Sequence, residues 1–271
     1  MAKNKVLFIS QEIAPYLPNS LFSLHGKDIP QGIIGEGYEV RTFMPKYGCI
    51  NERRNQLHEV IRLSGLNIVI DDTDHPLIIK VATLQPTRMQ VYFIDNDDYF
   101  DQQAAEPEAT LANPDDNDER LIFFARGVIE TAKKLRWDPR VIQCMGWISS
   151  LAPLFLRHKY ADEPTFADAK IVCTLRDEAF PGTLDPRFVE KLKMSGFTDD
   201  QLAVLGDGPV DYVALSKLAI DNSDAITVTT PEVHPEVLEY ARRSGKPILE
   251  FPGNDALAKA TADFYRQLGV D

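Results

Sequence analysis

The sequence predicts an α/β protein, and three stretches of the chain carry that prediction. Residues 5–10 (KVLFIS) are an apolar run followed by a loop, a helical stretch and a second apolar run, the pattern of a β-α-β unit. Residues 57–94 contain β-rich runs joined by short polar turns. After residue 117, helical and strand-like patterns alternate again. We therefore expect a Rossmann-like parallel sheet that carries an inserted antiparallel β excursion.

The first β-α-β unit spans residues 5–45. The continuous apolar character of KVLFIS is typical of a strand buried on both faces. Residues 20–34 predict a helix, and Pro30 inside it predicts a kink or an early break. Residues 38–45 (YEVRTFMP) predict the second strand, reached by a right-handed crossover.

The inserted excursion is expected to be antiparallel because its strand-like runs follow one another with only short turns between them. These runs are HEVIRLSG (58–65), LNIVIDD (66–72), PLIIKVATL (76–84) and RMQVYFID (88–95).

A long helix is predicted after the turn NPDD (113–116), with Asn117 or Asp118 as its N-cap. Its apolar residues recur at helical spacing and define one buried face. That face contains Leu121, Phe124, Val128, Ala132 and Leu135.

The second half of the chain alternates strands with helices. The last unit reads strand, turn, helix, with Asn254 as the expected N-cap and Gly269 at the C′ position. We expect a single domain over residues 1–271. The predicted strands are 140–147, 170–175 and 225–231, and the predicted helices are 149–159, 212–222 and 232–243.

Composition excludes several classes of function. The 271 residues include 29 Lys and Arg against 41 Asp and Glu, a formal net charge of −12. Such a charge repels nucleic acid and anionic membranes, so neither is an expected partner. No apolar run approaches the roughly 18 residues of a membrane span. No signal peptide is expected at the N-terminus.

The cysteine pattern predicts a cytoplasmic protein. There are three cysteines, and their spacing is not that of a metal site. Cys144 and Cys173 lie in apolar, strand-like runs, so they are expected to be buried thiols of a reducing compartment.

Residue patterns alone indicate no catalytic site, metal or cofactor. The acidic runs 71–75, 95–101 and 115–119 lack the spacing of a calcium loop and are interpreted as solvated turns and a helix start. GIIGEG (32–37) precedes a strand, so it predicts a helix-to-strand turn and not a dinucleotide loop. The five histidines, none of them paired at i, i+4, are expected to have surface or packing roles.

Several collinear segments nevertheless identify a family. Over residues 3–240 the chain resembles the N-terminal domain of bacterial glycogen synthases and starch synthases, glucosyltransferases of the two-Rossmann-domain type that use ADP-glucose. The segments are VLFISQEIAP (6–15), GYEVRTFMPKYGCI (37–50), VYFIDNDDYFD (91–101), NDERLIFFARGVIE (117–130), GWISSLAPLFLRHKYAD (146–162), FADAKIVCTL (166–175) and SDAITVTTPE (223–232).

The resemblance implies that the nucleotide-sugar loop is altered. In the family, Glu-x-x-Pro is followed by Lys-Thr-Gly-Gly-Leu, whose glycines and lysine admit the phosphates of the donor. Here Glu12 and Pro15 match the first motif. The second reads Pro-Asn-Ser-Leu-Phe at residues 18–22, and Leu21 and Phe22 are expected to crowd the space that a phosphate needs.

Two further motifs of the family are altered. The family's His-x-His-Asp-Trp corresponds to Gln-Cys-Met-Gly-Trp at residues 143–147, in which only Trp147 remains. The family's Thr-x-His-Asn corresponds to residues 174–177, which place Arg176 and Asp177 where a histidine and an asparagine are expected. The family's second domain, which supplies further donor-binding groups, is expected to be absent after residue 271.

These differences predict a non-catalytic binding or regulatory module for a glucan, a metabolite or a protein, with no cofactor. The former cleft is expected to bind its ligand through Glu12, Trp147, Arg176 and Asp177, none of them catalytic. Two alternatives stay open: an enzyme with altered chemistry in this cleft, and a glycosyltransferase that acts with a partner chain. Arg176 beside acidic residues could clamp an anion or fill the old pocket as an ion pair. A pocket joining Glu12 to Arg176 would favour the first alternative.

Overall fold

A mixed sheet forms the centre of the protein in the computed structural model, which describes residues 4–100 and 115–270. Asp101 of the acidic run 95–101 and residues 113–114 lie outside these ranges. The strands are β1 (Lys5–Ser10), β2 (Glu39–Pro45), β3 (His58–Glu59), β4 (Leu66–Ile70), β5 (Thr73–Leu84), β6 (Met89–Asp95), β7 (Val141–Met145), β8 (Lys170–Leu175), β9 (Ala225–Val228) and β10 (Ile248–Leu249). Their order in the sheet is β10-β9-β8-β7-β1-β2-β6-β5-β3, and β4 pairs with β5.

The sheet confirms the predicted fold class. Every pairing from β6 through β2, β1, β7, β8 and β9 to β10 is parallel. The pairings of β5 with β3, β4 and β6 are antiparallel. The excursion therefore returns to the parallel sheet through β6. The run 58–65 forms only the two paired residues of β3, because its remaining residues turn toward β4.

Eight α-helices occur in the described ranges, and none of them has the length and apolar content of a membrane span. The helices are α1 (Leu21–Gly35), α2 (Asn117–Lys134), α3 (Ala152–His158), α4 (Phe188–Met194), α5 (Asp199–Leu202), α6 (Tyr212–Asp221), α7 (Pro235–Arg243) and α8 (Leu257–Gln267).

The start of α2 is held by an ion pair. Lys191 Nζ of α4 pairs with the Asp118 carboxylate there at 2.7 Å. The N-cap of α2 is Asp116 instead of the predicted Asn117 or Asp118.

Helix α1 is capped tightly at its N-terminus. The Ser20 hydroxyl accepts a hydrogen bond from the Ser23 amide, and the Ser23 hydroxyl accepts one from the Ser20 amide, each at 2.9 Å. The helix continues through the buried Pro30 to Gly35, so the predicted early break does not occur. A single proline removes one helical hydrogen bond, and the buried Ile29 and Ile33 hold both sides of it against the core.

Helix α8, near the C-terminal end of the described chain, packs along α1. Tyr38 donates a hydrogen bond from its hydroxyl to the Val270 carbonyl at 3.0 Å. Asn254 is not the N-cap of α8, because a short 3-10 turn precedes the helix and the Asn254 side-chain oxygen lies 3.1 Å from His25 Nε2. Gly269 has a φ of +84°, as expected for the C′ position.

Gly26 lets α1 approach the loop after β1. A Cβ atom added there would lie 2.0 Å from the Glu12 carbonyl oxygen, whereas one added at Gly35 would meet nothing within 4 Å. The start of α1 is therefore held against the backbone that carries Glu12.

We expect Gly26→Ala to lower the free energy of unfolding by about 2–3 kcal/mol, because backbone must move to admit the methyl group. Gly35→Ala in the same helix is the matched control and should be neutral or stabilising by about 0.5–1 kcal/mol. Urea unfolding of both variants measures the difference. Equal stability of the two variants would show that α1 does not press on the Glu12 backbone.

Candidate functional site

The candidate site lies where the chain reverses its direction of progress across the sheet. Strand β1 pairs with β2 on one side and with β7 on the other. Strands β2 to β6 lie on one side of β1, and strands β7 to β10 lie on its other side. Open α/β sheets bind ligands at such a switch point, in the crevice beyond the carboxyl ends of the strands.

A groove of about 360 Å³ opens at this point. One wall is the loop after β1 with the first turn of α1, and the other is formed by the residues that follow β8 and β9. We call it the switch-point groove. Its lining residues are Glu12, Ser20, Leu21, Phe22, Asp177, Thr230, Pro231 and Glu232.

Arg176 lies beneath the groove and does not line it. The residue is 1% exposed, and its guanidinium carbon lies 4.0 Å from the centre of the Phe22 ring. Its Nε and Nη2 atoms lie 2.8 and 2.7 Å from Glu178 Oε2. Burial raises the pKa of the Glu178 carboxyl, and the Arg176 guanidinium opposes that rise. The cation is thus already neutralised by a carboxylate of its own chain.

Gly146 makes room for this ion pair. Its φ of +93° is a backbone conformation that glycine adopts readily. A Cβ atom at this position would lie 2.7 Å from Arg176 Nη2 and 2.5 Å from Gln11 Cβ. By the family resemblance Gly146 stands at the position of an aspartate, and the space that a side chain there would need is occupied by Arg176 and Gln11.

Trp147 has a packing role in this structure. It is 5% exposed, and its ring centroid lies 5.0 Å from that of Phe180. Of the four residues predicted to bind a ligand, Glu12 and Asp177 line the groove, whereas Trp147 and Arg176 are buried and do not line it.

Gln143 connects three elements inside the protein. Its amide nitrogen donates to the hydroxyls of Thr174 and Thr227 at 2.6 and 2.7 Å. Its amide oxygen accepts from the Tyr265 hydroxyl of α8 at 2.9 Å. A buried amide with its hydrogen bonds made is stabilising. The first histidine position of the family motif is therefore occupied by a structural residue.

Hydroxyl groups hold the carboxylate-bearing residues around the groove. Ser20 donates to Glu12 Oε2 at 3.1 Å. The Thr230 hydroxyl accepts from the Asp177 amide at 2.8 Å and donates to the Glu232 carbonyl at 2.6 Å. Thr230 and Glu232 were not among the site residues predicted from the sequence. The available signal was their position directly after a parallel strand, at the edge of the sheet that carries Asp177.

The five histidines and the described residues of the acidic runs do not line the groove. Within residues 4–100 and 115–270, no three or more His, Cys, Asp or Glu side chains are grouped as metal ligands. Asp71 and Asp72 form a turn with positive φ, and Asp95 pairs with Lys80 at 2.7 Å. His158 Nε2 lies 2.8 Å from Asn222 Oδ1.

The predicted buried thiols are confirmed for Cys144 and Cys173. Both are free and buried on neighbouring strands. Burial raises the pKa of both thiols, that of Cys173 to about 11.

Comparison with known proteins places the chain in a family. The family profile described as starch synthase catalytic domain matches residues 5–248. A glycogen synthase of Chlorobium luteolum is 33% identical over 233 residues, covering 86% of this chain and 46% of the relative. A glycogen synthase of Chlorobaculum tepidum is 32% identical over 279 residues, covering 98% and 53%. The chain spans about half the length of the curated relatives it matches.

A solved structure has the same fold. The catalytic domain of starch synthase IV from Arabidopsis thaliana, bound to ADP and acarbose, aligns with a TM-score of 0.74 and 18% identity. The alignment covers 92% of this chain and 51% of that one. The chain therefore belongs to the family of the starch synthase catalytic domain and is a homologue of its N-terminal part.

We expect Arg176→Met to lower the free energy of unfolding by about 3–5 kcal/mol at neutral pH, because Glu178 loses its counter-charge. Without that charge the pKa of the buried Glu178 carboxyl rises further above its ordinary value of 4.5. At pH values between the ordinary carboxyl pKa and the raised one, the folded variant then binds more protons than the unfolded chain. Its free energy of unfolding therefore falls as the pH rises through that range. Urea unfolding should show a smaller loss at about pH 5 than at about pH 8.

The control is the double variant Arg176→Met/Glu178→Gln, in which no charge is left unpaired. It should recover most of the lost stability. A double variant as unstable as the single one, or a loss that does not change with pH, would contradict the ion-pair account.

Proposed function

We propose that this member of the starch synthase catalytic domain family is a non-catalytic binding module that does not transfer glucose from ADP-glucose. The observation that carries the proposal is the buried Arg176–Glu178 pair beneath Phe22. By the family resemblance, Arg176 stands where a histidine lies close to the transferred glucose. Its guanidinium is covered by an aromatic ring and has its own counter-ion, so it is not available to a ligand.

The charge of the groove supports this proposal. A departing nucleoside diphosphate needs positive charge and free backbone donors in place. Lining the groove are the carboxylates of Glu12, Asp177 and Glu232 and no Lys, Arg or His side chain of the described residues. At the start of α1, the Ser23 amide is already bound by the Ser20 hydroxyl. A diphosphate would thus meet like charge and few donors.

The shape of the groove supports it as well. By the resemblance, the positions of Ser20 and Leu21 are glycines in the family, and those glycines let the loop approach the donor. Here Ser20 is the N-cap of α1, and Leu21 and Phe22 project from the first turn into the groove. The solved starch synthase IV holds ADP and acarbose, so these two ligand classes are the ones to test.

We expect calorimetric titration of this chain with ADP and with ADP-glucose to give no binding at millimolar concentration, because the groove repels the diphosphate. The glycogen synthase of Chlorobaculum tepidum, titrated in the same buffer, is the positive control. A maltooligosaccharide series is titrated in parallel to test for a glucan ligand.

Sub-millimolar binding of ADP-glucose would overturn the proposal and restore a transferase, which would then need groups from a second domain or a partner chain. Transfer of glucose to a glycogen primer by this chain alone would overturn it too. Binding of a maltooligosaccharide without the nucleotide sugar would agree with it.

A further inference from the structure

We propose that the switch-point groove binds an organic cation that carries an apolar chain, namely an ammonium or guanidinium group on an alkyl stem. The inference rests on the proposed function, because it assigns a ligand class to the groove that ADP-glucose is expected to avoid. Four features carry it: a formed cavity, two unpaired carboxylates, a third carboxylate on the facing wall, and an exposed apolar surface between them.

The unpaired carboxylates belong to Asp177 and Glu232. Thr230, which is 2% exposed, holds both residues through its hydroxyl, accepting from the Asp177 amide and donating to the Glu232 carbonyl. Neither carboxylate has a hydrogen-bond or ion-pair partner in the described ranges. Two negative charges are thus kept at one wall of a cavity by a buried residue between them.

Glu12 supplies the third carboxylate from the opposite wall. Its position is set by Ser20 at 3.1 Å and by the Gln11 amide at 3.3 Å, both neutral donors. Its negative charge is therefore oriented without being neutralised. Arg176, whose guanidinium stacks on the Phe22 ring, is already paired with Glu178.

The apolar part of the groove defines the rest of the ligand. Leu21 is 43% exposed although it is a large aliphatic residue, and Pro231 is exposed opposite it. Phe22 also lines the groove, and its ring stacks on the Arg176 guanidinium. An alkyl stem can lie on this surface while its charged end reaches the carboxylates, in the way that lysine and arginine side chains bury their stems.

An inorganic cation fits the groove less well. Such an ion needs several oxygen ligands around one point. Among the described residues, no three or more His, Cys, Asp or Glu side chains are grouped as metal ligands. The apolar surface of the groove offers no oxygen ligand to an inorganic ion. The cation can come from two sources, a free polyamine or the side chain of a peptide, and both present the same chemistry.

Calorimetry at low ionic strength tests the proposal with two pairs of probes. Spermidine represents the free amine and is compared with its triacetylated, neutral form. The peptide acetyl-Arg-Leu-amide represents the side chain and is compared with the peptide in which citrulline replaces arginine. We expect at least one charged probe to bind, its neutral counterpart to bind at least about five-fold more weakly, and added salt to weaken the binding.

The double variant Asp177→Asn/Glu232→Gln should weaken binding of the charged probe by about five-fold without affecting the fold, since both side chains are exposed and unpaired. Glu59→Gln/Asp200→Asn is the matched control, because it removes the same charge from two exposed residues outside the groove and should leave binding unchanged. Leu21→Ala should weaken binding by about three-fold, since it removes part of the apolar wall.

The outcomes distinguish the cation site from the proposed non-catalytic function. Equal binding of charged and neutral probes, equal loss in the double variant and its control, or no binding of either charged probe would overturn the inference and leave the non-catalytic function standing. Binding of ADP-glucose in the groove would overturn both. Preference for spermidine or for the peptide decides the source of the cation.

Discussion

The ion pair of Arg176 with Glu178 is the constraint on which the rest of the site depends. A charged pair taken out of water is tolerated only when its geometry is good and its surroundings are closed. Closure comes here from Phe22 above the guanidinium and from the backbone of Gly146 beside it. The loops after β7 and β8 and the first turn of α1 are thereby packed into one unit. The groove lies on top of that unit, so its shape depends on the pair below, while its negative charge comes from Glu12, Asp177 and Glu232.

The framework around this pair shows how positions can pass from chemistry to packing. Gln143 stands where the family motif has a histidine, and it now connects two strands and α8 through three hydrogen bonds. Trp147, the residue of that motif that is retained, packs against Phe180. The proposed non-catalytic function agrees with these packing roles, in a chain that is about one-third identical to glycogen synthases.

Much of the fold was predictable because it follows local rules. Apolar runs such as residues 5–10 and 170–175 form strands at the predicted bounds. Predictions were wrong where a contact with a residue far away in the sequence determines the role of a side chain. Asn254 contacts His25 from 229 positions away and so does not cap α8. Of the predicted site, Glu12 and Asp177 line the groove because strand ends meet at the edge of a parallel sheet. The stacking of Phe22 on Arg176 depends on side-chain packing between distant segments, so it could not be predicted from residue spacing in the sequence.

The packing of α8 on α1 limits where the chain can be truncated without loss of packing. The family profile ends at residue 248, but α8 lies beyond it and closes against α1 so tightly that a Cβ on Gly32 would lie 2.4 Å from Ala258 Cβ. Helix α1 also forms a wall of the groove. A truncation at the profile boundary would strip one flank of α1 and expose apolar surface, although it would remove no groove residue. The boundary of the family profile is therefore not the boundary of the packed unit in this chain.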